Sequence, residues 1–326
     1  MTWLLTGGAG YIGAHIVREL QNVGRGVVVV DDLTGGFAEN VPAGVPLITA
    51  NVLETEVLER VMRDHAVVGV IHLAAKKAVG ESVERPLWYY EQNVTAMCHL
   101  LEAMERTNVN RLVFSSSAAT YGEVQVETVT EETLTQPTSP YGETKLIGEW
   151  LMKDQSRAVG MSYVSLRYFN VAGAGAPELG DRSVSNLIPL VFGAITAGRR
   201  PQVFGADWPT RDGSGIRDYI HVVDLARAHA LAVLKLDGNA VNGDVLGRTY
   251  NIGTGLGTTV LEVIEMTREV TGIDFEPEIV GRRAGDPARI VADPSAAQRE
   301  LSWHSQLDLR DMVASAWTSW QHMHRS

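Results

Sequence analysis

The sequence predicts an α/β fold, a doubly wound parallel sheet with a smaller, interleaved C-terminal domain. Three observations carry this. Short apolar runs alternate with amphipathic helical patterns through the first half of the 326 residues, as βαβ units require. A glycine-rich turn joins the first of these runs to the first helical pattern. From about Val171 the alternation weakens, and glycines, prolines and arginines scatter between short elements.

The elements follow in order. Residues 2–6 read as the first strand, and Ile16, Val17 and Leu20 have the spacing of a helix face. Between them stands Gly7-Gly8-Ala9-Gly10-Tyr11-Ile12-Gly13, a Gly-x-x-Gly-x-x-Gly variant of the dinucleotide fingerprint. Glycines let the backbone turn tightly and approach a pyrophosphate, and the helix N-terminus that follows offers N–H groups and a positive dipole end. The sheet is therefore Rossmann-like. A second strand, 27–30, ends in Asp31-Asp32. Asp31 lies about 20 positions after Gly10, where an acid binds the ribose hydroxyls of NAD and repels the 2′-phosphate of NADP. NAD is the expected cofactor.

Residues 47–49 predict a third strand. Val57, Leu58 and Val61 mark a helix, 67–73 a fourth strand, and 86–106 one long helix. A fifth strand, 111–114, leads into Ser115-Ser116-Ser117. Residues 137–159 form a helix, 162–168 a sixth strand and 249–252 a later one. Ligands bind beyond the carboxyl ends of such strands. The glycine turn, Asp31, the Leu73-Ala74-Ala75 turn and the serine run all fall there. The expected domains are 1–170 with a returning segment at about 218–252, which bind NAD, and 171–217 with 253–326, which bind substrate.

The helix 137–159 contains Tyr141 and Lys145, one turn apart on one face. An ammonium beside a phenol makes the phenol a usable base. A free tyrosine titrates near ~10, and bringing it to neutrality takes about three units, roughly 4 kcal/mol. One cation ~6 Å away contributes about 2.8 kcal/mol at an effective dielectric of ~20. Lys145 alone falls short, and a second positive charge such as an oxidised nicotinamide closes the gap.

Composition narrows the function classes. Apolar residues make up 45% of the chain, an ordinary globular value. There are 28 Lys and Arg against 39 Asp and Glu, a net charge of −11, and no basic patch for nucleic acid. An anionic substrate must be met by a few local arginines. The one cysteine, Cys98, excludes an intramolecular disulfide, fits a reducing cytoplasm and reads as a core residue of its helix. No secretory leader pattern precedes the first strand, and no apolar run approaches the ~18 residues of a membrane span. The nine histidines show no metal-ligand spacing, and His72 and His221 follow apolar strands as core residues do.

Taken together, the chain resembles the extended short-chain dehydrogenase/reductase family over roughly residues 2–320, in its branch acting on nucleotide sugars. The resemblance rests on the glycine turn with Thr6, Lys77-Ala78-Val79-Gly80-Glu81-Ser82, Ser115-Ser116-Ser117-Ala118, Ser139-Pro140-Tyr141-Gly142 and Arg167-Tyr168-Phe169-Asn170. Gly215-Ile216-Arg217-Asp218-Tyr219-Ile220-His221-Val222, Arg283-Ala284-Gly285-Asp286 and Leu301-Ser302-Trp303 complete it. It implies reversible 4-epimerisation of UDP-hexoses through a 4-keto sugar, with NAD held tightly.

The resemblance also implies roles. Tyr141 is the acid/base, Lys145 its electrostatic partner and ribose ligand, and Ser117 a partner of the sugar 4-oxygen. The cofactor set is Gly7, Gly10, Tyr11, Ile12, Gly13, Asp31, Asp32, Asn51, Val52, Leu73, Ala74, Ala75, Lys77, Asn93, Ser115, Tyr141, Lys145, Tyr168 and Phe169. Substrate falls to Lys77, Ser117, Tyr141, Asn170, Asn186, Leu187, Phe204, Arg217, Arg283 and Asp286. Arg217 and Arg283 take the diphosphate, for which an arginine fork suits better than lysine, and Phe204 stacks on uracil. Two positions depart from the family pattern. Asn51 replaces an aspartate that accepts from the adenine amino group, a role its carbonyl oxygen keeps. Ile290 stands at the position gating an N-acetyl pocket, and leaves acceptance of N-acetylhexosamines open.

A UDP-glucuronate 4-epimerase, another nucleotide-sugar-modifying enzyme of this kind and a non-catalytic NAD-binding sensor stand as alternatives. A 4,6-dehydratase is disfavoured because Ala118 and Ala119 occupy the positions of its extra acid/base pair. Apolar stripes near 94–104 and 146–152 face the sheet or, as the family implies, pair two subunits in a homodimer.

Overall fold

The computed structural model describes residues 1–183, 186–283 and 286–324. In chain order the elements are β1 (Thr2–Thr6), α1 (Tyr11–Asn22), β2 (Gly26–Asp31), β3 (Leu47–Thr49), α2 (Thr55–Asp64), β4 (Val67–His72), α3 (Val79–Glu84) and α4 (Pro86–Tyr89). A π-helical turn (Tyr90–Thr95), α5 (Ala96–Arg106), β5 (Arg111–Ser117), α6 (Pro140–Val159) and β6 (Ser162–Tyr168) follow. Then come β7 (Asn170–Ala172), α7 (Leu187–Thr196), β8 (Gln202–Phe204), β9 (Ile216–His221), α8 (Val222–Asn242) and β10 (Gly247–Ile252). The chain closes with β11 (Gly257–Thr259), α9 (Val260–Thr271), β12 (Glu278–Val280), β13 (Arg289–Ile290), α10 (Ser295–Leu301) and α11 (Leu309–Met323). Compactness divides the chain into residues 1–120, 135–167 and 226–250 on one hand, and 121–134, 168–225 and 251–326 on the other.

The first unit is built on a seven-stranded sheet in the order β3-β2-β1-β4-β5-β6-β10, the doubly wound arrangement the alternating pattern predicts. β1 pairs in parallel with β2 and with β4, and β4 with β5. Strands β1, β2 and β4 are buried along nearly their whole length, which is why they read as continuous apolar runs. Leu58 and Met62 of α2 and Met97, Leu100 and Met104 of α5 pack with Leu4 and Val28 in one core. The strand order reverses between β1 and β4, so the crevice beyond their carboxyl ends is the ligand position of such sheets. Two glycines shape it. Gly7 has φ +76°, and a Cβ there would stand 2.8 Å from Ala74 N. A Cβ on Gly13 would strike the Gly7 carbonyl oxygen, so α1 packs against the turn only because that position is bare.

Three details differ from the sequence-based expectation. The helix expected over 86–106 is interrupted by the π-helical turn, whose Asn93 reaches back to the chain at Lys76. Strand β5 runs through the serines to Ser117, with the Ser116 hydroxyl donating to a buried partner, Glu149. Cys98 is exposed rather than in the core: Met97, Leu100, Leu101 and Met104 take the inward stripe of α5, and position 98 falls outside it. Helix α6 starts at Pro140, where Ser139 accepts from Gly142 N and proline occupies the first turn.

The second unit centres on β9, which pairs in parallel with β7 and β13 and antiparallel with β11. β8 and β12 form a separate parallel pair. Its core joins Ile188, Val191 and Phe192 of α7, Val263 and Ile264 of α9, and Met312 and Val313 of α11. Residues 121–134 belong here through Tyr121, whose hydroxyl donates to Asn251 Oδ1 (2.7 Å), and Val129, whose N–H donates to Val291 O (2.8 Å).

Candidate active site

Helix α6 runs along β5, and its residues 141, 145 and 149, each one turn apart, meet three successive serines. The Tyr141 hydroxyl hydrogen-bonds Ser117. Lys145 Nζ donates to Ser115 O at 2.7 Å and lies 5.9 Å from the centroid of the Tyr141 ring. Glu149 accepts from Ser116 Oγ (2.6 Å), Ser165 Oγ (3.2 Å) and Arg167 Nε (2.8 Å), all buried. Ser117 is oriented in turn, because its Oγ accepts from Ala119 N at 3.1 Å. The start of α6 presses on this turn: a Cβ on Gly142 would stand 2.5 Å from Ala119 O.

The electrostatics sharpen the shortfall foreseen from charge alone. Burial pushes the Tyr141 phenol up, with the Ser117 hydrogen bond pulling the other way. Burial also lowers Lys145 to about 7, so the ammonium meant to help is itself close to neutral. In the bare protein desolvation governs both groups. A phenolate needs a further positive charge brought in with a ligand.

The crevice beside this ladder suits a dinucleotide. Helix α1 starts at Tyr11 after Gly10 as N-cap, with no side-chain cap and no acid in its first turn, an end that suits an anion. Asp31 is buried at the end of β2, and its two oxygens accept from Ala9 N and Leu33 N, both 2.9 Å. Lone pairs remain for ribose hydroxyls. Burial raises its pKa. Asp32 is lowered despite burial, because the Thr34 hydroxyl and amide both donate to it. Asn51 donates to Asp32 Oδ2 (3.1 Å), and its carbonyl oxygen accepts from Leu53 N (3.0 Å) with one lone pair left. Val52 is buried, and Leu73 N and Ala74 N donate to Thr6 O (3.1 and 3.2 Å). Asn93 spans three partners: Oδ1 accepts from Lys76 N, and Nδ2 donates to Lys76 O and to Thr144 Oγ1. Its side chain therefore holds the loop carrying Ala75 and Lys77; Lys77 is exposed. His72, at the end of β4, has Nδ1 2.7 Å from Thr6 Oγ1 and is driven to about 3 by burial, so it is a neutral core residue.

The second unit gathers the remaining candidates around β9. Arg217 is mostly buried, donates to Ile216 O at 2.9 Å and lies 3.9 Å from Asp286. Burial lowers its pKa while Asp286 opposes that. The Arg283 guanidinium lies over the Phe204 ring, 4.2 Å from its centroid. Ala284 and Gly285, between Arg283 and Asp286, lie outside the described residues. Asn186 caps α7 just before Leu187, and its side chain donates to Asp181 Oδ2 at 2.6 Å. Asn170 is exposed on β7, Phe169 is buried and Tyr168 half-buried. Ile290 is buried on β13, in register with Arg217 of β9. Asp218, to which the sequence assigns no role, is fully buried and accepts from Thr254, Gly255 and Ala292, which fixes the strands carrying Arg217 and Ile290. Glu149 was also missed, although its place one turn beyond Lys145 was a legible signal. Among the described residues no cluster of His, Cys, Asp and Glu could hold a metal, and no helix is long and apolar enough to cross a membrane.

The model of the NAD dependent epimerase/dehydratase family matches residues 3–253. The UDP-glucose 4-epimerase of Corynebacterium glutamicum is 45% identical over 320 residues, 97% of this chain and 95% of that protein. Among solved structures, UDP-glucose-4-epimerase from Stenotrophomonas maltophila, with bound NAD and formylated UDP-arabinopyranose, superposes with a TM-score of 0.94 at 40% identity, covering 100% of this chain and 99% of that one. UDP-glucose 4-epimerase from Bifidobacterium longum in complex with NAD+ and UDP gives 0.91 at 38% identity, with 99% of each chain covered.

Proposed function

The chain belongs to the NAD dependent epimerase/dehydratase family, and from that premise we propose that it interconverts UDP-galactose and UDP-glucose by reversible 4-epimerisation. The observation that carries the reading is the ladder from α6 to β5, which places a phenol, a buried lysine and a serine at the strand ends beside the dinucleotide crevice. NAD, held by the glycine turn and Asp31, would supply the hydride acceptor and donor for sugar C4. Tyr141 removes the 4-hydroxyl proton during oxidation and restores it during reduction, so the 4-keto sugar is transient and no net redox change accrues. Ser117 holds the 4-oxygen in line with the phenol. Lys145, anchored on Ser115, holds its charge 5.9 Å from the centre of the Tyr141 ring and is assigned to the nicotinamide ribose.

Arg217 and Arg283 are assigned to the diphosphate and Phe204 to the uracil, with Asn170, Asn186, Leu187 and Asp286 beside them. Support comes from the two guanidiniums, one desolvated and one on an aromatic face. They hold the ketone through its UDP while the sugar turns. Lys77, exposed in the bare chain, is assigned to both ligands. We place the enzyme in the cytoplasm, as a homodimer through α5 and α6.

The test is turnover of UDP-galactose to UDP-glucose with no cofactor added. Activity with copurified NAD is expected. Tyr141→Phe abolishes turnover with NAD still in place; a near-normal rate in that variant would remove the base assignment.

A further inference from the structure

Two loops flank the glycine turn of the first unit, and a lysine outside the site predicted from sequence joins them. The loops follow β2 and β4, which lie on either side of β1, so their roots stand about 10 Å apart, two strand spacings. Each packs on the turn between them. Phe37 N and Asn40 Nδ2 donate to Ala9 O, both at 3.0 Å, on one side. Ala74 N donates to Thr6 O at 3.2 Å on the other. Lys76 Nζ then donates to Thr34 Oγ1 at 2.9 Å, bridging loop to loop.

Neither end of this bridge is loose. The backbone of Lys76 is pinned at both N and O by the buried Asn93 amide, at 2.8 and 3.0 Å. Its ammonium lies 5.3 Å from the centre of the Trp88 ring, which Arg85 also covers at 3.9 Å. Thr34 Oγ1 donates onward to Asp32 Oδ1 at 2.6 Å, and Asn51 holds the other Asp32 oxygen. A continuous chain of contacts therefore runs from Asn93 through Lys76, Thr34 and Asp32 to Asn51. It crosses the crevice on the side of Asp31. A solvated surface lysine would show none of this anchoring.

We propose that Lys76 and Thr34 form a clasp across the adenosine half of the dinucleotide crevice, which slows departure of NAD. The proposal rests on the reading that this crevice holds NAD. The mechanism gives such a clasp a purpose, since loss of reduced cofactor in mid-turnover strands the 4-keto sugar. The lysine charge also faces the adjacent carboxylates of Asp31 and Asp32, and so tightens the loop it closes.

The experiment follows exchange of bound NAD in the holoenzyme against an excess of isotopically labelled NAD, read by mass spectrometry of the protein-bound nucleotide. Lys76→Met and Thr34→Val each speed exchange about three- to tenfold, the range of one net hydrogen bond. The double variant is no faster than the faster single variant, because both remove the same link. Lys76→Arg keeps exchange near the parent rate. Parent-rate exchange in Lys76→Met and Thr34→Val, or effects that multiply in the double variant, overturn the clasp. Thr34 is exposed, so its variant tests the link even where Lys76→Met folds poorly. A parent protein that carries no NAD instead removes the cofactor reading on which the clasp depends.

Discussion

Tyr141 and Lys145 show how burial and charge compete at a single pair. The spacing of the two residues promises an ammonium that lowers the phenol pKa, yet burial raises the phenol and brings the lysine to about 7. Near neutrality the bare pair rests as phenol with a partly neutral amine, and its activation waits for the positive charge of oxidised nicotinamide. The sign of the lysine effect is still fixed: protonated Lys145 favours phenolate, so removing it raises the phenol pKa. We expect Lys145→Met to lower kcat and to move the acidic limb of its pH profile upward. The Coulomb attraction lost, about 2.8 kcal/mol at ~6 Å, corresponds to a shift of up to about two pH units. Measuring kcat of the NAD-loaded variant from pH 6 to 10 checks this. A limb that stays in place assigns Lys145 to ribose binding alone.

At the scale of elements, what the sequence reveals follows from what each element buries. Strands β1, β2 and β4 are covered on both faces, so their apolar runs locate them almost to the residue. The π-helical turn left no such trace: its Asn93 contacts the Lys76 backbone, a partner distant in sequence that no local pattern announces. The same holds at the site. Gly7, Asp31, Tyr141 and Lys145 stand at fixed spacings and are legible. Lys76 and Asp218 act through partners distant in sequence and are not. Glu149 lies between these cases, on the Tyr141 stripe but paired with Arg167 of β6. Removing it leaves the Arg167 guanidinium buried without its carboxylate and two serine hydroxyls without an acceptor. Glu149→Ala therefore destabilises the fold by about 3–5 kcal/mol, the cost of breaking a buried pair. Denaturant unfolding of the holoenzyme measures it, and a change under ~1 kcal/mol would mean that Arg167 finds another carboxylate or water.

For the whole molecule the open quantity is how many chains assemble, and α5 with α6 bears on it. The apolar stripes noted in the sequence are mostly turned inward, since Met97, Leu100, Leu146 and Met152 are all buried. Besides Val159 at its last turn, α6 leaves Trp150 outside, 56% exposed, with Ile147 and Leu151 half-buried beside it. An indole on a helix surface carries up to about 200 Å² of apolar area, a strong incentive for a second copy to cover it. The net charge of −11 opposes association at long range, so the contact must be apolar and local. Two-fold symmetry would place Trp150 of one copy near α5 and α6 of the other. Trp150→Glu then brings two carboxylates to the same apolar contact and separates the subunits. Light scattering should give a mass near 71 kDa, twice the 35.4 kDa chain, for the parent protein and the single-chain mass for the variant. A parent protein already at the single-chain mass would remove the dimer, and a variant that stays paired would move the interface away from Trp150.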